Sequence, residues 1–133
     1  MKSDFGIIGL AVMGENFALN IESRGYRVSV YNRTTAKVEN FIKGVAAGRN
    51  FFGAMSIEDF CDSLAAPRKI MIMVKAGEAV DSTIETLLPY LSKGDIIIDG
   101  GNSNYVETER RVKALDIKGL LFVGSGVSGG ELG

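Results

Sequence analysis

Phe5-Gly6-Ile7-Ile8-Gly9-Leu10-Ala11-Val12-Met13-Gly14 runs from an apolar stretch directly into a turn bounded by glycines, and Met13, Phe17 and Ile21 then recur at helical spacing. A buried strand, a tight turn and a helix in immediate succession open a βαβ unit, because a parallel partner strand is reached only through a crossover. In that setting Gly9 makes the tight turn and Gly14 lets the helix lie close to the strand. The helix N-terminus then offers backbone N–H groups to an anion.

The rest of the chain repeats the unit. Apolar runs at Val28 to Tyr31, Ile70 to Val74, Ile96 to Ile98 and Leu120 to Val123 are too far apart for hairpins and read as buried parallel strands, with a short strand at Phe52 to Met55. Between them lie segments of helical spacing: Val38, Phe41 and Ile42; Ile57, Phe60, Cys61 and Leu64; Val80, Ile84, Leu87 and Leu88; then a weaker stretch after Tyr105 with Val112 and Leu115. Gly25 reads as the C′ residue of the first helix, and Ser56 with Asp59 imitates a capping box. The fold class is therefore α/β, a Rossmann-type doubly wound parallel sheet of about six strands with helices on both faces. Ligands of such sheets bind at the carboxyl ends of the strands near the switch point. Every candidate motif lies at such an end.

Composition narrows the partners. The chain has 133 residues, 15 basic and 16 acidic side chains and 46% hydrophobic residues, which describes one globular domain with no broad attraction to nucleic acid or membranes. No apolar run approaches the roughly 18 residues of a membrane span. A single cysteine, Cys61, and no leader-like start point to a reducing cytoplasm. The absence of histidine removes the commonest general base and zinc ligand. Glu78, Asp81 and Asp99 lack metal-binding spacing and read as helix-start or loop carboxylates, so no metal is expected.

The loop from Gly9 to Gly14 is a dinucleotide fingerprint with Ala11 in its second glycine position, where a methyl group holds the pyrophosphate slightly farther from the backbone. The competing reading is a tight strand-to-helix turn that binds nothing, and Met13 taken alone reads equally as core filler. About 20 residues further on, NAD-binding folds place an Asp or Glu on the ribose 2′-hydroxyl. This chain has Tyr31-Asn32-Arg33-Thr34 there. Neutral Asn32 removes a charge that would repel a 2′-phosphate, Arg33 offers a planar fork of donors, and Thr34 adds a hydroxyl. One such charge-assisted contact favours NADP over NAD by roughly ten- to a hundredfold. Against this stands Arg33 as a solvated surface charge, with Thr34 or Thr35 only an N-cap.

Three further strand ends carry candidate chemistry. Val74-Lys75-Ala76-Gly77 is a turn of small residues with one cation able to run beneath a cofactor, or with a lysine that simply snorkels outward. Asp99-Gly100-Gly101-Asn102-Ser103 permits close backbone approach and offers the donor and acceptor of Asn102, which suits a polyhydroxylated substrate. Gly124-Ser125-Gly126-Val127-Ser128-Gly129-Gly130-Glu131 is rich in N–H groups and hydroxyls able to cradle carboxylate or phosphate.

Taken in order, GLAVMG, YNRT, MVKAG, DGGNS and GSGVSGGE resemble the amino-terminal domain of the 6-phosphogluconate dehydrogenase family over essentially the whole chain. Single motifs recur among β-hydroxyacid dehydrogenases, whereas GGNS together with GVSGGE is more specific. The resemblance implies oxidative decarboxylation of 6-phosphogluconate to ribulose 5-phosphate, with NADP as hydride acceptor. It implies that Gly9, Leu10, Ala11, Val12, Met13, Gly14, Asn32, Arg33, Thr34, Val74, Lys75, Ala76 and Asn102 line the cofactor site, with Met13 near the nicotinamide. It places substrate contacts on Asn102, Ser128, Gly129 and Gly130. The family's catalytic lysine and glutamate match no residue here and are expected beyond Gly133, so residues 1–133 are expected to bind NADP without turnover. The family also implies a carboxy-terminal all-helical domain, absent from this chain, and a homodimer. Leu132 departs from the pattern, which has a second glutamate there. Two other readings stay open: a 3-hydroxyisobutyrate-like dehydrogenase, against which GGNS argues, and a non-catalytic NADP-sensing module.

Overall fold

Short apolar strands alternating with helices build the sheet. In the computed structural model, which describes residues 1–101 and 103–124, the elements are β1 (Phe5–Ile8), α1 (Val12–Ser23), β2 (Val28–Tyr31), α2 (Thr35–Lys43), β3 (Phe51–Gly53), α3 (Ile57–Asp62) and β4 (Lys69–Ile72). They continue with α4 (Glu78–Leu87), a 3-10 turn (Leu88–Tyr90), β5 (Ile96–Asp99), α5 (Tyr105–Asp116) and β6 (Leu121–Gly124). The six strands pair in parallel in the order β3-β2-β1-β4-β5-β6. That order reverses direction between β1 and β4, which creates a crevice beyond their carboxyl ends.

Strand pleating sorts the apolar residues into two cores. Ile8, Ile70, Ile72 and Ile97 pack with Phe60, Val80, Ile84, Leu87 and Leu115 from α3, α4 and α5. Their neighbours Ile7, Met71 and Val30 pack with Ala18, Val38 and Phe41 from α1 and α2. Alternate residues of one strand thus serve opposite faces, so the strands read as unbroken apolar runs. Gly6 makes room for one of these contacts, since a Cβ there would stand 2.6 Å from Phe60 Cζ.

Local signals match the expected elements with small shifts. Ser56 accepts the Asp59 N–H at 3.1 Å as the N-cap of α3. Gly25, at φ +101°, donates to the Glu22 carbonyl just past α1. The third strand begins at Phe51 rather than Phe52 and ends at Gly53. The fourth ends at Ile72, because Met73 and Val74 already belong to the turn that leaves the sheet. Among the described residues no helix is long and apolar enough to cross a membrane.

Candidate functional site

At the end of β1 the chain turns sharply into α1. Gly9 has φ +105°, and a Cβ on it would lie 2.2 Å from the Met73 carbonyl oxygen, so only glycine fits. A Cβ on Gly14 would lie 1.9 Å from the Gly9 carbonyl oxygen, which shows how closely α1 begins against the loop. Ala11 is the N-cap at φ −75° and ψ −178°, an extended conformation open to any residue, so alanine in the second fingerprint position carries no backbone strain. Its methyl side chain forms no cap, and the first-turn N–H groups of Val12, Met13 and Gly14 have no intrahelical partner. They are the donors an anion would meet. Val12 is 76% and Met13 45% exposed, so Met13 faces outward rather than filling the core.

Asn32, at the end of β2, clasps this loop. Its Oδ1 accepts the Leu10 N–H at 2.8 Å and its Nδ2 donates to the Thr34 carbonyl at 3.1 Å. An aspartate would keep the first bond but set a second oxygen against the Thr34 carbonyl. The amide is therefore the side chain that satisfies both of these bonds. Arg33 and Thr34 are exposed. Among the described residues no carboxylate pairs with Arg33, and Thr34, though the N-cap of α2, forms no side-chain cap bond. The guanidinium and the hydroxyl both remain available to a ligand.

A cleft of about 520 Å³ joins these residues, lined by Gly9, Tyr31, Asn32, Arg33, Thr34, Val74, Ala79 and Thr83 among others. Ala76 lines a neighbouring depression of about 620 Å³ with Gly77, Asp81, Ser103 and Asn104, and Glu78 borders both. Lys75 is exposed on the same turn. Asn102, Ser128, Gly129 and Gly130 lie outside the described residues.

The end of β5 and the turn after it are tied into the protein's own packing. The space left by Gly100 is taken by the protein itself, since a Cβ there would be 2.2 Å from Met73 Sδ. Asp99 is not a simple loop carboxylate: it is 1% exposed, its Oδ1 accepts the Gly101 N–H at 2.9 Å, and its Oδ2 accepts from Ser103 Oγ. Behind it sits Arg111, 2% exposed, a residue that sequence reasoning passes over. Helical spacing assigned Val112 to the core with Leu115, yet Val112 is 39% exposed and Arg111 takes the inward position one turn before Leu115. The available signal was the i, i+4 relation of Arg111 to Leu115, with aspartates at the β5 end and early in α4. Hydrogen bonding from Arg111 first, and from Arg110 as well, holds the Asp81 carboxyl below the usual carboxylate range. Among the described residues no three His, Cys, Asp or Glu side chains converge as a metal site.

Residues 4–133 match the family described as the NAD binding domain of 6-phosphogluconate dehydrogenase. The chain belongs to that family. It is 61% identical over 132 residues to a decarboxylating 6-phosphogluconate dehydrogenase of Dictyostelium discoideum, covering 99% of this chain and 27% of that protein. It is 59% identical over 132 residues to an NADP(+)-dependent decarboxylating enzyme of Bacillus subtilis, covering 99% of this chain and 28% of the relative. Among solved structures, the 6-phosphogluconate dehydrogenase of Plasmodium falciparum superposes with a TM-score of 0.82 at 43% identity, over 90% of this chain and 26% of that one. That enzyme was solved in its apo form, with its cofactor NADP+ and with its substrate 6-phosphogluconate. The chain thus spans little more than a quarter of the length of the curated relatives it matches.

Proposed function

We propose that this chain is the NADP-binding domain of a decarboxylating 6-phosphogluconate dehydrogenase. The observation that carries the reading is the β2 end. Arg33 and Thr34 stand uncommitted beside a cleft that starts at the Gly9 loop, and the position that would hold a ribose-binding carboxylate holds an asparagine engaged with the backbone. The N–H groups of Val12, Met13 and Gly14 take the pyrophosphate, Arg33 and Thr34 take the adenosine 2′-phosphate, and Val74 packs beside the adenosine. The nicotinamide half lies across the turns that follow β4 and β5, over Lys75, Ala76 and Asn102 and near Met13.

NADP supplies a hydride acceptor when bound. This chain's residues orient it and shield one side of it. In the longer enzyme 6-phosphogluconate meets Asn102, Ser128, Gly129 and Gly130, and the proton transfers belong to groups outside residues 1–133. The relatives' names and the joint presence of GGNS and GVSGGE support this substrate over a 3-hydroxyisobutyrate-like one. A homodimeric enzyme in the cytoplasm is the corresponding setting. Absorbance at 340 nm tests the division of labour. With 6-phosphogluconate and NADP+ the chain produces no NADPH, and sustained production would show that a proton-transfer group had been overlooked within it.

A further inference from the structure

Arg111 gathers the two turns on the nicotinamide side of the crevice around one buried guanidinium. Its Nε donates to Asp81 Oδ1 at 2.9 Å and its Nη2 to Asp81 Oδ2 at 3.3 Å. Nη2 also donates to the Gly77 carbonyl, which ends the turn after β4, at 3.3 Å. Nη1 donates to Ser103 Oγ, in the turn after β5, at 3.3 Å and stands 3.9 Å from Oδ2 of Asp99, the last residue of β5. Asp99 fixes that second turn through Gly101 and Ser103. Burying an arginine with a 1% exposed aspartate is costly, and well-packed apolar side chains commonly stabilise a fold as well or better. What the ion cluster supplies is a fixed geometry between the two turns beyond their last paired residues, Ile72 and Asp99.

We infer that Arg111 is a positioning residue for the cofactor: by tying the Gly77 turn to the Asp99–Ser103 turn it sets how firmly the nicotinamide half of the dinucleotide is held, while leaving the adenosine half untouched. The inference rests on the proposed cofactor reading. Lysine cannot replace the fork, because a single ammonium lacks the planar array that meets Asp81, Gly77 and Ser103 together.

Calorimetry on this chain with NADP+ and with 2′,5′-ADP, which lacks the nicotinamide half, separates the possibilities. Arg111→Lys weakens NADP+ by about tenfold, the equivalent of one charge-assisted hydrogen bond, and leaves 2′,5′-ADP within about twofold. Ser103→Ala, which keeps the buried ion pair and tests the link if Arg111→Lys does not fold, shifts NADP+ the same way by about threefold. Arg110→Lys is the control, since the exposed Arg110 shares Asp81 but contacts neither turn, and it leaves both ligands within about twofold. Equal weakening of the two ligands by Arg111→Lys and Ser103→Ala would mark the cluster as merely structural and overturn the inference. So would unchanged NADP+ affinity in either variant that folds. A wild-type chain that binds neither ligand would remove the cofactor reading and this one with it, whereas a wild-type that binds both isolates the role of Arg111.

Discussion

Arg33 is the residue on which cofactor choice turns, because it is exposed at the cleft and among the described residues meets no carboxylate. Arg33→Ala removes the fork that would hold a 2′-phosphate and lowers NADP+ affinity by roughly ten- to a hundredfold, with NAD+ little changed, as titration calorimetry at fixed salt would read. Asn32 has a double role. Asn32→Asp loses the bond to Thr34 and sets a charge beside the phosphate position, so the chain loses about 1–2 kcal/mol in urea unfolding and binds NADP+ more weakly. The neutral character of Asn32 was legible in sequence, but its clasp on Leu10 was not, since the two residues meet only once β1 and β2 pair. Cys61 shows burial dominating: desolvation, opposed by Arg68 and reinforced by Asp95 and Asp62, pushes its thiol up to about 11. A thiol reagent at neutral pH leaves it unmodified in the native chain and titrates it in denaturant; rapid native reaction would contradict the packing around Phe60 and Leu64.

At the scale of elements, the loop between β1 and α1 is the least forgiving. Gly9→Ala combines a positive φ with an overlap on the Met73 carbonyl and costs about 2–4 kcal/mol in chemical denaturation, so a neutral result would refute the turn described here. The pairing of α4 with α5 carries a pH signature. Because Asp81 is held below its ordinary pKa, its ion pairs contribute stability above the usual carboxylate pKa of about 4, and that contribution disappears as pH falls through the lowered value. The difference in Tm between wild type and Asp81→Asn therefore shrinks as pH is lowered from about 6 toward 3. Strands were legible because residues buried on both faces make unbroken apolar runs, and α1 to α4 because their apolar spacing is regular. Helix α5 was misread on its inward side, since an arginine neutralised by aspartates from two other elements leaves no apolar mark in the sequence.

Across the described residues, the strand order places the recognised motifs at one end of the sheet. GLAVMG follows β1, YNRT spans the end of β2, VKAG follows β4 and DGGNS spans the end of β5, on both sides of the reversal between β1 and β4. That convergence was legible because right-handed crossovers leave few topologies for repeated βα units. The internal wiring of the site was not, because Asp99, Arg111 and Asp81 are far apart in the chain and meet only after the sheet forms. Calorimetric titration of this chain with NADP+ and NAD+ in one buffer reads its cofactor choice. NADP+ binds roughly ten- to a hundredfold more tightly than NAD+, and equal affinities would show that Asn32 and Arg33 do not select the phosphorylated cofactor.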